Sequence, residues 1–62
     1  MGKIHVDHRL IWRNAQDRIV REETFASFAL GKPEFDKAAE NVEPGMLLTF
    51  QHGARIIFRA QG

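Results

Sequence analysis

The chain has no cysteine and no tyrosine, a single serine, and only two prolines. Without cysteine there is no disulfide, no thiolate zinc site and no thiol nucleophile. No apolar run is long enough to span a membrane. Met1-Gly2-Lys3 leads into alternating residues rather than an apolar segment, so no secretory leader is expected. A cytoplasmic protein without a membrane partner is the expectation. Charge of one sign is also missing: nine Lys/Arg face eight Asp/Glu, a formal net charge of +1. Such a balance supplies little of the positive field that draws nucleic acid by counterion release.

What is present suits a small folded domain. Hydrophobic residues make up 44% of the 62 residues, too many for a disordered chain. A chain this short buries only about 60% of the surface its unfolded form exposes. Oligomerisation or a partner is therefore an expected source of added stability. A single α+β domain over residues 1–62 follows.

Ile4, Val6, Leu10 and Trp12 alternate with His5, Asp7, Arg9 and Arg13, and His8 falls on the apolar side. That period of two predicts a half-buried strand. Asn14-Ala15-Gln16-Asp17 reads as a turn. A second strand is predicted from Arg18 to about Leu30, with a bulge or a strong twist to reconcile Val20 and Phe28 on one parity with Ile19 and Phe25 on the other. Gly31-Lys32-Pro33 then opens a helix, with Pro33 in its first turn and Glu34 and Asp36 near its positive end. Phe35, Ala38, Ala39 and Val42 form its apolar stripe, and Pro44-Gly45 ends it. A hairpin closes the chain, with Met46–Phe50 and Arg55–Ala60 flanking Gln51-His52-Gly53-Ala54.

The expected fold is ββαββ, a four-stranded, mainly antiparallel sheet with one helix on one face. The expected core is Ile4, Val6, Leu10, Val20, Phe28, Phe35, Ala39, Val42, Leu48 and Ile57. In the hairpin, Phe50 is placed opposite Arg55, Leu48 opposite Ile57 and Leu47 opposite Phe58. Leu48 and Ile57 then face the helix, while Leu47, Ile56 and Phe58 turn to the other side with Ile11. One helix covers one face, so the second face is either an interface or is closed by a curled sheet wrapping its own core.

Chemistry has little raw material. Ser27 falls in a predicted strand and has no Gly-x-Ser-x-Gly elbow around it. His5 and His8 point to opposite faces of a strand, and His5 with Asp7 makes only two ligands. No metal site is expected, since structural zinc takes four. Gly31-Lys32 before a helix could meet an anion, but Glu34 and Asp36 repel it, and no cofactor is expected. His52, Arg55 and Arg59 are the residue types of a small ribonuclease centre, without a tyrosine or a strong positive field to hold RNA. An enzyme is not expected.

Binding is the remaining class. A strand–strand–helix–strand order resembles ubiquitin-like and small phage inhibitor proteins, which implies a scaffold that acts through its surface. The candidate partner-binding residues are Arg9, Trp12, Arg13, Leu47, Ile56, Phe58 and Arg59, because aromatic and arginine anchors carry most interface energy. The partner is a protein or a second copy of the chain, as for a host-targeting inhibitor or a regulatory adaptor. The alternative is a nucleic-acid-binding regulator, dimeric, whose strand arginines contact phosphates. Against it stands pairing of those arginines with Asp7, Asp17, Glu22 and Glu23.

Val42-Glu43-Pro44-Gly45-Met46-Leu47-Leu48-Thr49-Phe50 followed by Gly53-Ala54-Arg55-Ile56-Ile57-Phe58 resembles the closing hairpin of swapped-hairpin AbrB-type domains. The resemblance implies an interleaved, DNA-binding dimer. Asp17-Arg18-Ile19-Val20-Arg21-Glu22 echoes that family's Gly-Arg-Val-x-Ile-Pro pattern without its proline, and the spacer to the hairpin is longer.

Overall fold

The computed structural model describes residues 7–62; the expected strand positions Ile4, His5 and Val6 lie outside them. The order is β1 (His8–Arg13), β2 (Ile19–Phe25), α1 (Phe28–Ala39), β3 (Leu47–His52) and β4 (Arg55–Gln61). All strand pairs are antiparallel, in one four-stranded sheet of order β2-β1-β3-β4. This is the ββαββ architecture.

β1 alternates as its sequence dictates. Its pairing sets His8 opposite His52, Leu10 opposite Phe50 and Trp12 opposite Leu48. These residues share the face that packs on α1. Leu10, Phe35, Leu48 and Phe50 form the buried cluster, with Trp12, Phe25, Ala38, Ala39, Val42 and Ala60 against it. The turn after β1 is built by Asn14. Its Oδ1 accepts from the amides of Gln16 and Arg18, each at 3.0 Å, while Asp17 takes a left-handed φ of 63°. Asx turns and tolerance of that φ are what asparagine and aspartate bring to turns. The expected bulge in β2 is present: Trp12 opposes Arg21 and Arg13 opposes Ile19, so Val20 is the extra residue.

The helix begins earlier than expected. Ser27 is its N-cap, with extended backbone and a side chain accepting from the Leu30 amide at 3.3 Å. A serine oxygen satisfies an amide that the first turn leaves without a helical partner, so the second strand stops at Phe25 and Phe28 becomes helical. Pro33 therefore lies inside the helix, where its ring removes a bond to the Ala29 carbonyl. No acidic residue falls in the first turn; Glu34 and Asp36 are mid-helix. Residues 42–46 form a connector, with Met46 N donating to the Glu43 carbonyl at 3.0 Å. Pro44-Gly45 thus shapes that turn and does not end the helix, although Val42 still packs on the core.

Gly31 explains how the helix seats. It is buried, and a Cβ there would sit 2.7 Å from Phe50 Cε1 and 3.2 Å from Phe25 Cδ2. Only glycine lets the helix backbone lie directly over that ring. Of the expected core, Leu10, Phe35 and Leu48 are buried. Val20, the extra residue of the bulge on the edge strand β2, is 53% exposed. Phe28 is 42% exposed, at the helix margin. Phe50, Ile11 and Thr49 are buried and were not among the expected core residues.

Candidate interaction edge

The closing hairpin turns through Gly53-Ala54, with Gly53 at φ 63°, the positive value a two-residue loop demands at its first central position. His52 then opposes Arg55 and Gln51 opposes Ile56. A bulge at Ile57 follows, so that Phe50 opposes Phe58, Leu48 opposes Ala60 and Leu47 opposes Gln61. One extra residue reverses every face beyond it. Phe58 therefore joins the helix side and not the Leu47 side, and Ile57 does not lie opposite Leu48.

The candidate residues divide accordingly. Arg9, Arg13, Leu47, Ile56 and Arg59 share the helix-free face. The cross-strand rows on that face read Thr24–Arg9–Gln51–Ile56, Glu22–Ile11–Thr49–Arg59 and Ile19–Arg13–Leu47–Gln61. Trp12 and Phe58 lie on the helix face, on the β2 and β4 sides of the helix. The helix-free face is not an open apolar surface, which was one of the two forms expected of it. Ile11, Thr49 and Gln51 at its centre are buried and Leu47 is half-buried. Thr49 Oγ1 donates to Gln51 Oε1 at 3.1 Å, and Gln51 Nε2 donates to the Gly53 carbonyl at 3.4 Å. Buried polar groups are retained when they find such partners.

Exposed apolar side chains stand at both edges, Ile19 and Val20 on β2 and Ile56 and Phe58 on β4, the latter with Phe28 of α1 near Phe58. Ile56 is 42% exposed and Phe58 36%. The Phe58 ring lies 6.3 Å from Phe28, 5.6 Å from Phe35 and 6.4 Å from Phe50 between centroids. Such offset and tilted ring pairs hold one another in place. Lys32 Nζ lies 5.1 Å from the Phe58 centroid while also bridging Asp36 at 2.7 Å. A cleft of about 350 Å³ beside the turn is lined by Phe28, His52, Arg55, Ile56 and Ile57; the bulge brings both isoleucines to it.

The arginines are largely engaged where acids are near. Arg9 bridges Glu22 at 2.7 Å, Arg13 approaches Asp17 at 3.7 Å, and Arg21 bridges Glu23 while its guanidinium lies 4.7 Å over the Trp12 ring. Among the described residues Arg55 and Arg59 make no ion pair. No acid stands in β4, whereas β2 carries Glu22 and Glu23 beside Arg21.

His8 and His52 are stacked at 4.1 Å with their rings parallel. The β1–β3 register puts them opposite each other, and Phe28 and Phe50 close around His8. Among the described residues no group of three or more His, Cys, Asp or Glu could hold a metal ion. His52 and Arg55 are cross-strand neighbours, but Arg59 lies on the opposite face, so the three residues of the ribonuclease reading are not gathered. Sequence reasoning missed Phe28 as a surface residue, and the signal was Ser27 directly before it. Among the described residues no helix is long and apolar enough to cross a membrane.

No family model, curated protein or solved structure matches the chain. The likeness to swapped-hairpin domains thus rests on the hairpin residues alone, and in this fold β3 pairs with β1 and β4 of its own chain.

Proposed function

We propose that the protein is a non-catalytic interaction module, of the inhibitor or regulatory-adaptor type, that binds a protein partner along β4. The observation that carries this reading is the exposed Ile56 and Phe58 of the edge strand β4, each with Phe28 of α1 beside it. Edge strands are usually blunted by charge or covered, and apolar surface there marks an interaction site. Of the candidate residues, Ile56, Phe58 and Arg59 belong to this edge. Arg9, Arg13 and Leu47 lie on the helix-free face inward of it, and Trp12 belongs to the far side.

The nucleic-acid alternative draws on Arg9, Arg13 and Arg59 sharing one face. Ion pairs to Glu22 and Asp17 leave that face with little net charge, and phosphate binding scales with the charges released.

The test places a photo-crosslinking residue at Ile56, with controls at Val20 and Lys37. A discrete adduct at position 56, whose purified protein binds the wild type and loses affinity for a folded Ile56→Asp variant, supports the reading. Equal labelling at all positions, or steeply salt-dependent binding of duplex DNA or RNA in an anisotropy titration, overturns it.

A further inference from the structure

The two edges of the sheet differ in what they can accept. Both edge strands carry a bulge, at Val20 in β2 and at Ile57 in β4, but the charges of β2 are mixed and largely paired within the chain. β4 carries Arg55 and Arg59 with no acid. Its backbone direction follows from the ladder. The Gly62 amide donates to the Met46 carbonyl at 3.2 Å, which extends the register by one pair beyond Leu47 and Gln61. In an antiparallel ladder the groups alternate between facing the neighbour and facing away. Phe58 and Ala60 therefore point their amides at β3, and Arg59 and Gln61 point theirs outward from the sheet. Side chains alternate too: Phe58 stands on the helix face beside Phe28, and Arg59 on the other face.

Resting on the protein-binding reading, we propose that the partner is engaged through an extended segment that adds to β4 as a fifth strand, with apolar residues alternating with acidic ones. Outward amides and carbonyls of Arg59 and Gln61 supply the main-chain bonds. The apolar residues of the added strand lie beside Phe58 and Phe28. The acidic residues lie beside Arg59 on the helix-free face. Charge selects this occupant over a second copy of the chain. A second β4 strand carries two arginines and no acid, so it offers Arg59 no partner of opposite charge, which an acidic strand does.

The probe is a short blocked peptide alternating valine and glutamate, titrated into isotope-labelled protein, with a valine–lysine peptide as control. The glutamate peptide is expected to shift Phe58–Gln61 resonances and to slow exchange of the Arg59 and Gln61 amides, leaving the Ala60 amide, already bonded to β3, little changed. The lysine peptide is expected to bind about tenfold more weakly or less. The Arg59→Glu change, at an exposed position, is expected to reverse that preference while the circular dichroism spectrum is kept. Equal binding of both peptides, perturbation centred on β2, no binding, or β4-to-β4 dimerisation in sedimentation would each overturn the proposal. An adduct at Ile56 together with no peptide preference would remove this inference and leave the protein-binding reading standing.

Discussion

At Gly31 two effects of one methyl group oppose each other. Alanine is the better helix former by about 1 kcal/mol, yet its Cβ would press on the Phe50 ring at 2.7 Å. Phe50 is fully buried and has little room to yield, and overpacking costs about 1–3 kcal/mol. Gly31→Ala is expected to lower the midpoint of chemical unfolding; an unchanged or raised midpoint would show that the ring swings aside. Phe58 and Ile56 separate in a similar way. Phe58 packs on Phe35 and Phe50, so Phe58→Asp is expected to cost about 2 kcal/mol or more. Ile56→Asp lies on exposed surface and should stay within about 0.5 kcal/mol of wild type. Urea unfolding of both variants checks this, and comparable losses would place Ile56 in the core as well.

Among the elements, α1 shows how local signals compete. Gly31-Lys32-Pro33 looks like a helix start, but Ser27 caps the helix earlier and the chain accepts a proline inside it. Ser27→Ala is expected to cost about 1 kcal/mol. Pro33→Ala restores a donor to the Ala29 carbonyl, a gain of up to about 3 kcal/mol less the stiffness proline gives the unfolded chain. A higher melting temperature for Pro33→Ala and a lower one for Ser27→Ala are expected, and a fall in the former would show that the proline ring packs usefully. In β2 and β4 the elements were legible, but only one bulge was. Adjacent apolar residues Ile19 and Val20, of opposite parity, were the sign of the first. Arg55-Ile56-Ile57-Phe58 carries no mark of the second, because an isoleucine pair satisfies either register.

For the whole molecule, exposed ion pairs contribute little. Arg9–Glu22, Arg13–Asp17 and Arg21–Glu23 each lie at the surface, where such pairs are worth about 0–1 kcal/mol. Arg9→Gln should therefore shift the unfolding midpoint only slightly, and moderate salt should do the same; a large loss in either would assign these pairs a structural role. Period-two alternation in β1, the asparagine turn, the Phe35 stripe and the glycine of the last hairpin were decided by the sequence alone, since each depends on neighbours a few residues apart. That sufficed for the ββαββ order. Tertiary structure decided the rest. Setting β1 against β3 stacked His8 on His52 and buried Ile11 and Thr49 on a face with no helix. The bulge at Ile57 sent Phe58 to the helix and Arg59 away from it. Face, edge and neighbour across the sheet depend on register between strands far apart in the chain, and a single extra residue changes them all.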